Sequence, residues 1–169
     1  MFVVGIDPGL TRCGFGVIES DVSLPESFRA IAAGVLETPK TDAIERRLAA
    51  VHHDLSELFD EYRPDVVVVE KVFFQKNVST AIGVAQAAGV AIAVAGTKGI
   101  EVIQYTAQEV KLAVTGYGAA SKRQVQEMVA SRCGLDAIPE PVDAADALGL
   151  AMTHLIRRRI EARFEVAAS

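Results

Sequence analysis

Cysteine is scarce in this 169-residue chain: Cys13 and Cys133 stand alone, with no CxxC pair and no Cys/His cluster. That disfavours a zinc site and leaves no disulfide framework to expect. Long hydrophobic runs are missing too. The most apolar stretch, Ala81 to Ala95, is shorter than a bilayer-spanning helix needs and is interrupted by Gln86. No basic stretch precedes an apolar run at the N-terminus, so no signal peptide is expected, and the chain reads as cytoplasmic with no membrane association. Positive charge is in short supply: 17 Lys and Arg against 22 Asp and Glu leave a formal net charge of −5. Nucleic-acid binders are usually basic, so the total argues against an obvious one. Local patches remain, at Lys122-Arg123, at Arg157-Arg158-Arg159, and at Lys71 and Lys76 on either side of Phe73-Phe74. Long linkers, internal repeats and low-complexity segments are also absent.

What is present is half hydrophobic, with a mean hydropathy of +0.27. This length predicts one domain over residues 1–169, with about 160–169 as a flexible tail. FVVGID and GFGVIES read as a hairpin, and Phe28 to Leu36 as a third strand. Ile44, Leu48, Val51, Leu55, Leu58, Phe59 and Tyr62 recur at helical spacing, with Asp42 and Glu45 as a capping-box-like start and Pro64 as the stop. VVVVE is a central strand buried on both faces, the pattern of parallel strands. The small-residue segment around Ala81–Ala95 is a helix, and IEVIQY is another strand. Thr106 and Ser121 cap two further helices, and a last helix runs from Val142 to about Ile160. Strands first, then helices alternating with parallel strands, predict an α/β fold with a mixed central sheet and helices on both faces.

Four carboxylates stand out. Asp7 ends the first strand, where it could hold a metal, adjoin a phosphate-cradling loop or start a turn, since Asp-Pro-Gly is a good turn sequence. Glu70 ends the valine strand, and a carboxylate beside so apolar a run needs a cation, a strong donor or solvent at the rim. Ligand sites in open α/β sheets lie beyond such carboxyl ends. Asp143 and Asp146 are three apart in VDAADALGLA, on one helical face. Acidic residues are also common near helix N-termini for dipole reasons alone. Taken together, a set made only of hard oxygen donors suits Mg²⁺ or Mn²⁺.

GIDPGL near the start, VVVVEKVFFQKN in mid-chain and DAADALGLA near the end resemble, in this order, the RuvC-type Holliday-junction resolvases of the ribonuclease H-like superfamily. The resemblance spans Met1 to about Arg159. It implies a ribonuclease H-like three-layer fold and a Mg²⁺-dependent endonuclease (Mn²⁺ as a second option) with two ions per site. Such an enzyme resolves four-way junctions by paired symmetric nicks, with water as nucleophile, in recombination and repair. By motif, Asp7, Glu70, Asp143 and Asp146 become the metal-binding catalytic set. Some relatives carry His where Asp143 stands, so this is the all-carboxylate version.

The resemblance also favours Phe73 over Phe74 as a base-stacking residue, with Lys76 beside it, and places Lys111 and Lys122 near the scissile phosphate; Arg123 joins them as a candidate. The 157–159 arginine run reads as a solvated helix end. His154, about three turns past Asp143, is too far along to join the metal set. Gly9 is expected to let backbone approach a DNA phosphate. The small-residue helix is apolar almost all round and invites a partner helix, in keeping with the family's two-fold homodimer. RuvA and RuvB are the implied protein partners. Two other readings remain: an actin/hexokinase-like ATPase or sugar kinase, from the Asp7–Thr11 loop, and a non-catalytic junction-binding dimer.

Overall fold

The computed structural model of the chain describes residues 1–21, 28–72 and 78–168. Five strands form one sheet: β1 (Phe2–Asp7), β2 (Arg12–Glu19), β3 (Arg29–Glu37), β4 (Val66–Glu70) and β5 (Glu101–Tyr105). Their order is β3-β2-β1-β4-β5. β1, β2 and β3 pair antiparallel, whereas β4 runs parallel to both β1 and β5. The helices are α1 (Ile44–Tyr62), α2 (Val78–Thr97), α3 (Ala107–Thr115), α4 (Lys122–Arg132) and α5 (Val142–Ala168). Among the described residues, no helix is long and apolar enough to cross a membrane.

Side chains alternate across the sheet, so each strand feeds two cores. Val3, Val66 and Val68 face α3, α4 and α5 with Leu148 and Met152. Val4, Ile6, Val67 and Val69 face α1 and α2 with Val51, Leu55, Phe59 and Ala91. The four valines of β4 are at most 1% exposed, which is what a strand flanked and covered on all sides requires. The expected α/β fold with a mixed sheet between helical layers is therefore what forms.

Helix α5 lies unusually close to the sheet. A Cβ on Gly5 would stand 1.9 Å from the Ala147 carbonyl oxygen, one on Gly16 2.6 Å from the Leu148 nitrogen, and one on Gly14 2.4 Å from the Asp143 carbonyl oxygen. Three glycines on β1 and β2 thus clear a track in which the N-terminal half of α5 sits with backbone against backbone. Ala144, Ala145, Ala147 and Ala151 complete the small-residue seam; all four are fully buried.

Several sequence expectations shift. β3 runs from Arg29 to Glu37, one residue later at each end than expected, with Arg29 opposite Glu19 and paired with it. Asp42 does not cap α1: the N-cap is Ala43, with no side-chain cap, and the Asp42 N–H donates instead to Pro39 in the preceding turn. The end of α1 is as expected. Arg63 adopts the left-handed conformation, its N–H returns to Phe59, and Pro64 follows. Thr106 and Ser121 are both N-caps with complete capping boxes. The segment expected as a tail continues α5 as far as Ala168, since Glu, Ala and Arg favour helix and neither Gly nor Pro interrupts them. The arginine run is not a solvated end. Arg157 pairs with Glu109 and lies over Tyr105, while Arg159 bonds Ser20 and lies over Phe28, so two of the three pin α5 to the sheet.

Candidate metal and phosphate site

Asp7 and Glu70 reach the same place by strand register. Ile6 pairs with Val69, so the two carboxylates close adjacent parallel strands. Period-2 alternation sends Asp7 to the side of Val3 and Gly5, and Glu70 to the side of Val66 and Val68, which is the α3–α5 side of the sheet. There they line a cleft of about 270 Å³ with Asp146, Lys111, Lys122, Ala107, Val110, Val125 and Leu150. The glycine track places α5 over this edge: Gly14 pairs with Asp7 across the hairpin and touches the Asp143 backbone.

The strand pair is electrostatically crowded. Burial first, then the charges of Glu70 and Asp146, push the Asp7 carboxyl up to about 8, against a smaller opposing effect of Lys122. Glu70 is also raised, chiefly by burial, while a hydrogen bond with Asp7 works the other way. Of the two, Asp7 is the carboxyl whose protonated form burial and its acidic neighbours favour more. Neutral groups at these positions relieve the cost of burying two like charges side by side.

The helix pair is neutralised by cations instead. Lys122 Nζ stands 2.5 Å from Asp146 Oδ2, and Gln126 Nε2 donates to Asp146 Oδ1 at 2.9 Å. Partial burial would lower the Lys122 ammonium's pKa, but the hydrogen bond and charge of Asp146, with Asp7 and Asp143 behind it, outweigh burial and raise it. Arg12 Nε donates to Asp143 Oδ2 at 3.0 Å, and its Nη1 donates to Glu37 Oε1 at 2.7 Å.

Three of the four expected carboxylates, Asp7, Glu70 and Asp146, thus come together, while Asp143 is drawn aside into an ion chain with Arg12 and Glu37. Lys111 and Lys122 lie on the cleft wall. Arg123 does not: it is exposed on α4 and pairs with Glu127 one turn on. Phe73, Phe74 and Lys76 lie outside the described residues. His154 turns away from the cleft, its Nδ1 3.3 Å from the Tyr105 hydroxyl. Gly9 has a local reason to be glycine, since a Cβ there would stand 2.2 Å from the Arg12 carbonyl oxygen within the β1–β2 turn.

Two residues were missed. Arg12 lacks any sequence signal, because its partners are 25 and 131 positions away. Gln126 is a polar residue only 6% exposed, a burial that appears only once α4 has packed against α5.

A divalent ion is the group this donor set suits, since every acidic ligand offered is a hard oxygen. Burial and the repulsion of Glu70 and Asp146, which raise Asp7, are what a cation would relieve, and Asp146 Oδ2 is a buried oxygen whose close neighbour is the Lys122 ammonium. Among the described residues, no three acidic or imidazole side chains stand as a ready coordinating group. The reason is visible in the ion pairs: Lys122 and Arg12 occupy the aspartates of α5. Their side chains are 63% and 42% exposed, so both can yield to an ion without disturbing the core.

Comparison with known proteins places the chain in a family. The family model for crossover junction endodeoxyribonuclease RuvC matches residues 3–154. A relative of that name from Clavibacter sepedonicus is 52% identical over 152 residues, covering 90% of this chain and 74% of its own. Another, from Streptomyces avermitilis, is 47% identical over 169 residues, covering 100% and 95%. The structure of T. thermophilus RuvC in complex with Holliday junction substrate superposes with a TM-score of 0.89 at 34% identity, covering 95% of this chain and 96% of that one. The yeast mitochondrial Holliday junction resolvase Ydc2 shares the fold at a TM-score of 0.69 and 12% identity, covering 96% and 80%. With its ribonuclease H-like sheet and a model match over nearly its whole length, the chain belongs to the RuvC family of crossover junction endodeoxyribonucleases.

Proposed function

We propose that this chain resolves four-way DNA junctions by paired symmetric nicks, as a divalent-metal-dependent homodimer acting in recombination and repair. The observation that carries this is the meeting of Asp7, Glu70 and Asp146 in one cleft with Lys111 and Lys122, in a chain of the RuvC family. Asp7, Glu70, Asp143 and Asp146 are the residues that would hold Mg²⁺ or Mn²⁺. When bound, a pair of such ions supplies an activated water and balances charge on the attacking and leaving oxygens. The protein's own part is to seat the phosphate. Lys111 and Lys122 present ammonium groups on the cleft wall, and Lys122 extends from the first turn of α4, where the helix dipole also favours an anion. Val110, Val125 and Leu150 form an apolar floor that limits water around the acidic groups.

The net charge of −5 need not oppose DNA, because the cations relevant to it are local to the cleft. A dimer fits the surface of α2, which keeps Ile82 half exposed and also exposes Gly89, Ala93 and Gly96. Two active sites related by a two-fold axis suit a substrate cut symmetrically on two strands. RuvA and RuvB are the partner proteins that this reading implies.

An end-labelled four-way junction and a matching linear duplex, incubated with Mg²⁺, Mn²⁺, Ca²⁺ or chelator, test the reading. Paired symmetric nicks confined to the junction and abolished by chelator are expected. Junction binding without cutting in any metal would leave a non-catalytic binding dimer in its place. Binding should weaken steeply as salt rises.

A further inference from the structure

Asp143 is the one member of the carboxylate set that stands apart, and a specific contact keeps it there. Arg12, at the start of β2, forks between two acids: Nε to Asp143 at 3.0 Å and Nη1 to Glu37 at 2.7 Å. Glu37 ends β3 directly opposite Arg12 in the ladder, so its position is set by strand register. Asp143 opens α5, whose backbone is seated against Gly14. The guanidinium therefore spans two fixed points, one on the sheet edge and one on the helix. It is also tethered from behind. The turn leading into Arg12 is held by Arg47, which donates to Thr11 and Thr38, and by Thr38, which donates to the Leu10 carbonyl.

We infer that the Arg12–Glu37 pair is a latch that holds Asp143 out of the metal-binding set until a divalent cation competes it away. This rests on the reading that Asp143 belongs to that set. Arg12 and a metal ion make rival claims on the same carboxylate, and a guanidinium fork has both a fixed shape and a permanent charge with which to compete. The contact is solvent-accessible, with Arg12 42% and Asp143 27% exposed, so it is of modest strength and can be exchanged. The latch raises the cation concentration at which the site fills, and it spares the empty site an uncompensated fourth carboxylate.

Mn²⁺ binding by the full-length protein without DNA, followed by calorimetry, reads this directly. Arg12→Ala should bind Mn²⁺ about threefold to fivefold tighter, in line with the strength of exposed ion pairs. Glu37→Gln should shift affinity the same way but less, because Arg12 loses only one of its two anchors. The gain from Arg12→Ala should vanish in an Asp143→Asn background. A through-space charge effect on Asp7 and Glu70 would survive there, so its survival overturns the latch. Unchanged or weaker Mn²⁺ binding by a folded Arg12→Ala protein, with circular dichroism matching the parent, also overturns it. If Asp143→Asn alone leaves Mn²⁺ affinity unchanged, it is the placing of Asp143 in the metal set that fails. If Asp143→Asn weakens binding and Arg12→Ala does not tighten it, the latch alone fails.

Discussion

Asp7 and Glu70 arrive on strand ends, Asp143 and Asp146 on a helix, and the two pairs are neutralised by different means. The strand pair is buried and lies side by side by register, so burial and mutual repulsion raise both carboxyls and favour their protonated forms. The helix pair is partly exposed and paired with the mobile ends of Lys122 and Arg12. Backbone geometry therefore sets where the first two oxygens are, whereas exchangeable side chains set what the second two are doing. A cation held by these four carboxylates would have to displace protons from one half and the Lys122 ammonium and Arg12 guanidinium from the other.

The largest expected effect comes from removing one oxygen donor of the helix pair. Asp146→Asn should lose more than about 100-fold in junction cutting, since even supporting partners of metal ligands cost 10–100-fold. Junction binding should be kept or improved, because one negative charge near the phosphate is gone. A variant that still cuts at near the parent rate would remove Asp146 from the site.

Next in size is the glycine track that brings the helix pair to the strand pair. Gly5→Ala puts a Cβ against the Ala147 carbonyl, and both sides are backbone, so neither can swing away. Destabilisation of about 1–3 kcal/mol or more is expected in denaturant unfolding, with loss of cutting in the surviving folded fraction. Normal stability would show that α5 can slide without cost.

A smaller effect tests the raised Asp7 carboxyl. Asp7 rises from an ordinary 3.8 to about 8 in the fold, so the folded state binds more protons than the unfolded chain between those values. Stability in chelator should therefore fall as pH climbs through that window. The thermal stabilisation given by Mn²⁺ should grow with pH over the same range, because the ion then displaces fewer protons. A Mn²⁺ effect independent of pH would separate the ion from Asp7 and Glu70.

The smallest effect lies outside the cleft. Burial, with the Arg158 charge, holds His154 below its ordinary 6.5. The unfolded chain takes up the proton first, and stability should be lost as pH drops below about 6.5. His154→Phe should flatten that part of the profile, read from melting temperature, and leave junction cutting near the parent rate.

Much of the site was readable because its ingredients are local. Four valines followed by Glu70 can only be a covered strand ending at an edge, and Asp143 with Asp146 share a helix face by spacing alone. The caps at Thr106 and Ser121 are complete within four residues each. The misreadings came where a local pattern met a competing partner. Asp42 had the spacing of a cap, but the turn from Pro39 carries the chain one residue further and Ala43 takes the N-cap position. The arginine run resembled a solvated helix end, yet Arg157 and Arg159 found Tyr105 and Phe28 across the sheet edge.

From residue order alone came the parallel valine strand and the small-residue helix, which rest on patterns within a short window, and the all-oxygen donor set and the RuvC resemblance, which rest on the order of three motifs along the chain. The tertiary structure alone decided that Gly5, Gly14 and Gly16 form one track, that Gln126 braces Asp146, and that Arg12 ties Asp143 to Glu37. Those facts include contacts between residues 131 and more positions apart, only a few ångströms long, and such contacts exist only once the sheet and α5 have packed.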